Sequence, residues 1–318
     1  MKAMQRALVT GCNGFVGRVM VARLRVGGYE VRGVDRAEHC DVLDADAYLS
    51  GDLRDPGFVA EAIEVGDLDV IVHLAAQSSV RRSFDEPAMT LADGTLPALN
   101  MLNHIRESGE KTRVLLVGSA DEYGVVPESE MPIAETHAVA PSSPYALAKS
   151  IQNQLGTMFR SLYGVDTVMT RSFNHTGPGQ REDFVLANFA RQVAEIKRGR
   201  RKPVIEVGNL DIRRDFLDVR DVCDAYVVLL KRGRSGETYN VCSGNSYRIR
   251  DLLDTFCVLA KIKVTVHVDQ ARMRPVDMPD LRGDATKIHE HTGWNAKLEI
   301  KETLKSMLED WDRRLAAA

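Results

Sequence analysis

The chain has 318 residues, of which 44% are hydrophobic and 27% charged, and its formal net charge is −3. This length suffices for one large α/β domain and a smaller lobe, and the near-balanced charge argues against a nucleic-acid or membrane-surface partner. Five scattered cysteines without metal-ligand spacing predict a cytoplasmic protein with reduced thiols and no metal site, and no apolar run approaches the roughly 18 residues of a transmembrane helix.

The first predicted element is a short apolar strand at residues 6–10, followed by a glycine-rich turn and a helix that extends to about residue 27. Such a turn between a strand and a helix is the setting in which glycines bind a dinucleotide. Gly11 permits the tight turn, Gly14 lets the backbone approach a pyrophosphate, and Gly17 lets the helix pack closely on the strand. The predicted cofactor-binding residues of this turn are Gly11, Asn13, Gly14, Phe15, Val16 and Gly17.

The second predicted strand, residues 30–34, leads into Asp35. An acid roughly 20 residues beyond such a turn hydrogen-bonds the adenosine ribose and repels a 2′-phosphate, which favours NADH. Arg36 follows and can pair with a 2′-phosphate, so NADPH stays open. A turn or helix-capping role for Asp35 is the weaker alternative, because the dinucleotide motif precedes it.

Next in the chain come Asp52 and Leu53, a helix at 58–64 and a buried strand at 70–75. The loop that leaves this strand lies at its C-terminal end, where ligands bind in such sheets. His73, inside the strand, is predicted to be a core histidine. A helix at 95–107 then leads to a strand at 114–118, which places Ser119 at the strand's C-terminal tip.

Tyr145 and Lys149 are four residues apart in a helix that begins near Pro144. Side chains at this spacing share one helix face, so an ammonium is expected beside the phenol. A neighbouring cation lowers the pKa of a phenol from about 10 towards neutrality. A chance pairing is the alternative, but a complete dinucleotide-binding half precedes it. We therefore predict a redox site for a carbonyl and an alcohol, with Ser119, Tyr145 and Lys149 as its catalytic residues.

A strand at 166–172 is followed by a Gly/Pro-rich break at 173–180, after which the regular α/β alternation weakens. Helices are predicted at 184–199, from about 219, at 250–260 and at 300–314, and strands at 204–207 and 264–268. The predicted cofactor domain is 1–173, with the chain returning around 210–241. The predicted substrate domain comprises 174–209 and 242–318.

Together, the glycine turn, Asp52-Leu53, His73-Leu-Ala-Ala76, Ser119 and Tyr145-x-x-x-Lys149 resemble the extended short-chain dehydrogenase/reductase (NAD-dependent epimerase/dehydratase) family across essentially the whole chain. The resemblance implies an α/β fold: a Rossmann-type doubly wound parallel sheet with a smaller C-terminal α/β substrate lobe. It also implies a dimer, or a dimer of dimers, formed by the Tyr145 helix and the helix at 95–107. Leu91 departs from the family, in which many members carry Asn. The further cofactor-binding residues that it implies are Asp52, Leu53, Leu74, Ala75 and Ala76.

Several later stretches are similar to the GDP-sugar branch of that family, among them 171–178, 188–192, 207–215 and 239–244. This similarity implies a GDP-sugar substrate, with Arg214 and Arg274 clamping its diphosphate. A surface or interlobe salt bridge is the alternative for each arginine, and a turn role for Asn174. The implied substrate-binding residues are Asn174, Asn188, Arg191, Arg214 and Arg274.

Residues 119–124 separate two activities within the branch. Dehydratases resemble one another in a glutamate that removes the C5 proton, and here that position holds Asp121, one methylene shorter, after Ala120, which has no proton to donate. A retreat of ~1 Å costs on the order of a hundredfold in rate. We expect NAD(P)H-dependent reduction of the C4 ketone of GDP-4-keto-6-deoxy-D-mannose to GDP-D-rhamnose, with Asp121 and Glu122 only capping or solvating the loop. The alternatives are a GDP-mannose 4,6-dehydratase, another GDP-sugar epimerase and a non-catalytic cofactor sensor.

Overall fold

The computed structural model of the protein describes residues 4–64, 67–270 and 278–317. Its strands are β1 (Gln5–Thr10), β2 (Tyr29–Asp35), β3 (Tyr48–Ser50), β4 (Val70–His73), β5 (Arg113–Ser119), β6 (Thr167–Ser172), β7 (Asn174–Thr176), β8 (Val204–Val207), β9 (Arg213–Asp218), β10 (Thr238–Val241), β11 (Ser246–Arg248) and β12 (Thr265–Val268). Its helices are α1 (Phe15–Val26), α2 (Pro56–Glu64), α3 (Val80–Asp85), α4 (Pro87–Ser108), α5 (Pro144–Tyr163), α6 (Val185–Lys197), α7 (Val219–Arg232), α8 (Ile249–Ala260), α9 (Thr286–Thr292) and α10 (Ile300–Ala317).

The described residues form a seven-stranded sheet in the order β10-β6-β5-β4-β1-β2-β3, and all of its neighbouring strands pair in parallel. The direction of the strand order reverses between β1 and β4, which creates a crevice at the carboxyl ends of these strands. Thr10, the last residue of β1, lies in register with His73 of β4 and Val34 of β2. The loops after these three strands therefore meet at one edge of the sheet.

The central strands are apolar on both faces because helices cover both sides of the sheet. Ala7 and Val9 of β1 belong to a core with α1 and α7. Leu8, between them in sequence, points to the opposite core with α2, α4 and α5. This period of two places the strands between helical layers, as the predicted fold class requires. That fold class, a Rossmann-type parallel sheet, is confirmed.

A further hydrophobic core is built from α6, α8 and α10 together with β8 and β12. Between it and the large sheet lies a three-stranded sheet in the order β11-β9-β7. Phe216 of β9 packs into this core, whereas the next residue, Leu217, packs into the core beneath α1 and α7. Alternate residues of one strand thus join the two parts of the protein, while β10 returns the chain to the large sheet.

Most predicted elements are present within a few residues of their expected bounds. One that differs is the helix expected at 95–107, which is one of the two helices expected to form a dimer. The helix expected at 95–107 is α4 and begins at Pro87, so Leu91 and Thr95 lie inside it rather than at its start. Pro87 occupies the first turn, where its missing N–H is not needed. Among the described residues, no helix combines the length and the apolar character needed to cross a membrane.

Asp221 of α7 connects this helix to the segment before α10. Its buried carboxylate accepts hydrogen bonds from the backbone N–H groups of Lys297 and Leu298, at 2.9 and 2.8 Å. Asp221→Ala should lower the free energy of unfolding by about 1–3 kcal/mol, because two N–H groups lose their acceptor. The measurement is urea denaturation of the intact chain.

Asp224 on the same helix provides a matched control, since its ion pair with Arg23, at 3.1 Å, is partly exposed. Asp224→Ala should change stability by no more than about 1 kcal/mol. Equal losses in the two variants would contradict the anchoring role of Asp221.

Candidate active site and cofactor cavity

The glycine turn after β1 folds so tightly that side chains have no room. Gly11 has φ +69°, and a Cβ there would lie 3.0 Å from the backbone of Ala75. A Cβ on Gly17 would lie 2.1 Å from the carbonyl oxygen of Gly11. Gly14 precedes α1, so the free N–H groups of the first helical turn open onto the same space. This turn has the shape and the polarity that a pyrophosphate requires.

A cavity of about 160 Å³ lies at the carboxyl ends of β1, β2 and β4. Asn13 lies outside its lining; its side chain donates a 2.8 Å hydrogen bond to the carbonyl of His39. Phe15, Val16 and Gly17 also lie outside it, and Phe15 stacks on His175. The cavity fits the adenosine and pyrophosphate end of a dinucleotide. The predicted cofactor residues in its lining are Gly11, Gly14, Asp35, Arg36, Asp52, Leu53, Leu74, Ala75 and Ala76.

Two residues that the sequence did not single out, Arg54 and Asp93, also line this cavity. Arg54 donates to both carboxylate oxygens of Asp52, which lowers the pKa of Asp52. The nearly buried carboxylate of Asp93 pairs with Arg54 and with Arg36, each at 3.3 Å. The Gly51-Asp-Leu-Arg54 order was the available signal for Arg54. Asp93 lies on α4, far from the glycine motif in sequence, and only the fold brings it here.

Asp35 is held in place by backbone donors at the end of β2. One carboxylate oxygen accepts from the N–H of Asn13 at 3.2 Å, and the other accepts from the N–H of Arg36 at 2.8 Å. The side chain of Arg36, in contrast, is 60% exposed. The acid and the base predicted to bear on cofactor choice therefore lie side by side, the acid held by backbone donors and the base exposed and paired with Asp93.

Tyr145 and Ser119 come together beyond the cavity, at the end of β5, the next strand of the sheet. Ser143 caps α5 by accepting from the N–H of Ala146 at 3.1 Å, and Pro144 occupies the first helical position, which sets where Tyr145 begins the helix. Burial and the charge of Asp121 raise the pKa of Tyr145, and a hydrogen bond with Ser119 opposes this rise. Tyr145 is therefore a protonated phenol at neutral pH.

Lys149 differs from expectation in what it contacts. Its ammonium donates to the carbonyl oxygen of Val117 at 2.7 Å, and it is not among the groups that shift the pKa of Tyr145. Burial lowers the pKa of Lys149 to about 8, against the opposing charge of Glu122. The pKa of Tyr145 is thus raised in this structure, whereas the sequence led us to expect that Lys149 would lower it. Burial is the largest cause of the pKa shift of each group, because it favours the uncharged form.

His73 behaves as the predicted core histidine. Thr10 Oγ1 accepts from the N–H groups of Leu74 and Ala75, both at 3.1 Å, so its own proton is donated to Nδ1 of His73, 2.9 Å away. Burial, assisted by the charge of Lys149, lowers the pKa of His73 to about 3. The imidazole stays neutral and fixes the β4 loop that lines the cavity.

The predicted substrate residues lie on three elements. Asn174 begins β7, and Asn188 on α6 donates to the carbonyl of Glu182 at 3.1 Å. Arg191 pairs with Glu182 and Glu195 at 2.9 and 2.7 Å. The mostly buried Arg214 of β9 donates to the carbonyls of Arg213 and Met278, both at 2.7 Å. Arg274 lies outside the described residues.

Comparison with known proteins agrees with this fold. The family described as GDP-mannose 4,6 dehydratase matches residues 8–307. The chain is 36% identical over 316 residues to the GDP-6-deoxy-D-mannose reductase of Pseudomonas aeruginosa, with 98% of each sequence covered. It is 28% identical to GDP-mannose 4,6 dehydratase 1 of Arabidopsis thaliana, with 96% of this chain and 89% of the plant protein covered.

Among solved structures, the fold matches that of RMD from Pseudomonas aeruginosa complexed with NADPH. The TM-score is 0.88 at 35% sequence identity, and 98% of this chain and 99% of that chain are covered. The fold and the Ser119–Tyr145–Lys149 site define an extended short-chain dehydrogenase/reductase, a class of NAD(P)-dependent oxidoreductases. Within this class, the chain belongs to the GDP-mannose 4,6-dehydratase family.

Proposed function

We propose that the protein reduces the C4 ketone of GDP-4-keto-6-deoxy-D-mannose to give GDP-D-rhamnose, using NAD(P)H. The observation that carries the chemistry is the half-buried phenol of Tyr145, which keeps its proton and is hydrogen-bonded to Ser119 one strand beyond the cofactor cavity. The name of the relative from Pseudomonas aeruginosa, a GDP-6-deoxy-D-mannose reductase, supports the substrate.

The residues divide the work of the reduction. Bound NAD(P)H supplies the hydride for C4. Tyr145 donates its proton to the C4 oxygen as negative charge develops there, and a general acid in place contributes roughly 10²–10⁴-fold. Ser119 Oγ accepts from the N–H of Asp121 at 3.2 Å, which leaves its hydroxyl proton available for the same oxygen. Lys149 would hold the nicotinamide ribose of the bound cofactor and supply a positive charge beside the site.

Asp121 supports a second candidate, the GDP-mannose 4,6-dehydratase, because it occupies the position of the dehydratase base. Its charge lies close enough to Tyr145 to raise the pKa of the phenol. A dehydratase, however, regenerates its cofactor within each cycle and needs an acid where this chain has Ala120. The shorter carboxylate and the missing acid favour the reductase.

For the cofactor, we propose that the chain accepts both NADH and NADPH. Asp35, held by backbone donors, would bind the ribose hydroxyls of NADH, and the exposed Arg36 would bind the 2′-phosphate of NADPH. Release of Arg36 from Asp93 costs little free energy, because their 3.3 Å contact is partly exposed.

The substrate lobe is proposed to comprise 174–209 and 242–318, around the separate core of α6, α8 and α10. Asn174, Asn188, Arg191, Arg214 and Arg274 are the proposed substrate-binding residues. Arg191 and Arg214 already have partners, so a diphosphate would have to exchange for a carboxylate at Arg191 and add to the carbonyls at Arg214.

We also propose a cytoplasmic dimer or dimer of dimers, joined through α4 and α5. All five cysteines are unbridged in the structure. Helix α5 exposes Leu147, Met158 and Leu162, and α4 exposes Leu96 and Leu99. The spacing of the α5 residues places them along one stripe, as a helix–helix interface requires.

The first test offers GDP-mannose and its 4-keto-6-deoxy derivative to the enzyme separately, following nicotinamide absorbance and product mass. The reductase oxidises NAD(P)H stoichiometrically with the keto sugar and leaves GDP-mannose unchanged.

Tyr145→Phe should lower kcat at least a hundredfold while the cofactor still binds, because the proton donor is lost. Tyr163→Phe, at the far end of α5, serves as the control and should retain parental kcat. Unimpaired turnover by Tyr145→Phe would remove Tyr145 from its role.

Asp35→Ala should raise the affinity for NADPH relative to NADH by about tenfold, since a carboxylate that repels the 2′-phosphate is removed. Fluorescence titration with each cofactor measures the two dissociation constants. Asp41→Ala, in the exposed ion pair with Arg18, is the control. A ratio that stays at the parental value argues against the ribose role of Asp35.

Met158→Lys should convert the oligomer to a monomer in light scattering, because it places a charge in the proposed apolar interface. Val258→Lys alters an exposed apolar residue on the remote helix α8 and should leave the mass unchanged. A parent protein that is already monomeric would refute the proposed dimer.

A further inference from the structure

Glu122 caps the turn after β5, as expected, but its carboxylate is buried directly behind Ser119 rather than solvated. It lies in the short turn after β5 and is 1% exposed. Its Oε1 accepts from the backbone N–H of Ser119 and from Nδ2 of Asn153, both at 2.9 Å. Its Oε2 accepts from the same Asn153 nitrogen at 3.0 Å and faces Nε of Arg171 at 3.4 Å.

Gly118 makes room for this arrangement. A Cβ at Gly118 would lie 2.3 Å from Oε1 of Glu122 and 2.4 Å from Nδ2 of Asn153. Contacts this short do not occur between real atoms, so any side chain at this position would displace the hydrogen bond between the two residues. Gly118, which precedes Ser119 on β5, therefore leaves the space that the carboxylate of Glu122 occupies.

Asn153 connects the carboxylate to the catalytic helix. Tyr145, Lys149 and Asn153 follow one another at intervals of four residues on α5, which places them on one helix face. Asn153 also donates to the carbonyl of Thr170 at 3.0 Å. Glu122 therefore joins the backbone of Ser119 to the same helix face that carries Tyr145 and Lys149.

The charged and titratable groups that face Glu122 come from two further elements, β6 and α5. Arg171 of β6 attracts its negative charge but is shared with the hydroxyl of Tyr123 and the carbonyl of Glu135, both at 3.1 Å. On α5, the charge of Glu122 raises the pKa of Lys149 and also that of Tyr145. Burial raises the pKa of Glu122 itself to about 7, so it carries charge at the slightly alkaline side of neutrality.

We propose that Glu122 is a positioning residue for the reduction, which holds Ser119 against α5 through Asn153 and keeps the buried ammonium of Lys149 charged. The inference rests on the proposed function, because it assigns a role within the same site. Glu122 does not touch the reacting atoms; it acts through Ser119 and Lys149. The two effects can be measured separately, because the hold on Ser119 depends on hydrogen-bond geometry and the effect on Lys149 depends on charge.

The test compares Glu122→Gln, Asn153→Ala and Glu130→Gln in the full-length protein. Glu122→Gln removes the negative charge. It also replaces one carboxylate oxygen by an NH₂ group, which cannot accept a hydrogen bond from Ser119 or Asn153. Asn153→Ala keeps the charge and breaks the connection to α5. Glu130, an exposed acid paired with His137, is the matched control. Each variant is measured for kcat and cofactor affinity across pH, and for the pH dependence of Lys149 acylation by acetic anhydride, followed by mass spectrometry.

For Glu122→Gln, we expect kcat to fall about tenfold or more, with cofactor affinity within twofold of the parent. The alkaline limb of its pH profile, and the midpoint of Lys149 acylation, should move about one pH unit lower. We expect the parental limb near pH 8, because burial lowers the pKa of Lys149 to about 8. Asn153→Ala should lose kcat with a smaller shift of Lys149, and Glu130→Gln should match the parent.

An unchanged kcat and an unchanged acylation midpoint in Glu122→Gln would overturn the proposal. If Glu122→Gln fails to fold, Asn153→Ala tests whether Glu122 positions Ser119 through Asn153. Parental kcat in this variant would exclude that role. The acylation curve needs no sugar substrate. A parent that reduces no GDP-keto sugar would therefore refute the proposed function, while the acylation midpoints would still show whether Glu122 acts on Lys149.

Discussion

Loss of hydration at the carboxyl end of β5 governs the chemistry of this protein. The same burial raises the pKa of Tyr145, lowers that of Lys149 to about 8 and raises that of Glu122 to about 7. Neighbouring charges adjust these pKa values but do not reverse them, because burial is the largest cause for each group. A phenol that stays protonated at neutral pH can donate its proton to the far more basic alkoxide that forms from a ketone, which is what a ketone reductase needs.

The order of strands in the sheet explains where the cofactor and the chemistry meet. The cavity spans the ends of β2, β1 and β4, and Ser119 ends β5, the next strand along. Neighbouring strands are ~4.8 Å apart, so an extended dinucleotide lying across these ends would reach from Asp35 towards Tyr145. Thr10 and His73 hold β1 and β4 together at this edge with a buried hydrogen bond of 2.9 Å. Rigid strands thus position both halves of the site.

Charges at the two ends of the site serve different purposes. Around the adenosine end, Arg36, Arg54, Asp52 and Asp93 form a partly solvated network that can rearrange at low energetic cost. Around Ser119, Glu122 and Asn153 are fully enclosed, and breaking their contacts would strand a buried carboxylate. The first network suits a choice between cofactors, and the second suits a fixed catalytic geometry.

The sequence by itself determined most of the longer elements, the parallel-sheet fold, the glycine turn and the positions of Ser119, Tyr145 and Lys149 in the chain. These follow from local patterns: glycine spacing between a strand and a helix, apolar runs, and a four-residue interval on a helix. It did not reveal the length of α4 before Thr95, where the helix begins at Pro87. Only the tertiary structure decided that Glu122 is buried, that Asp93 reaches the cofactor cavity and that the pKa of Tyr145 rises. Burial and long-range charge depend on which distant segments pack together, and neighbouring residues in the sequence do not encode them.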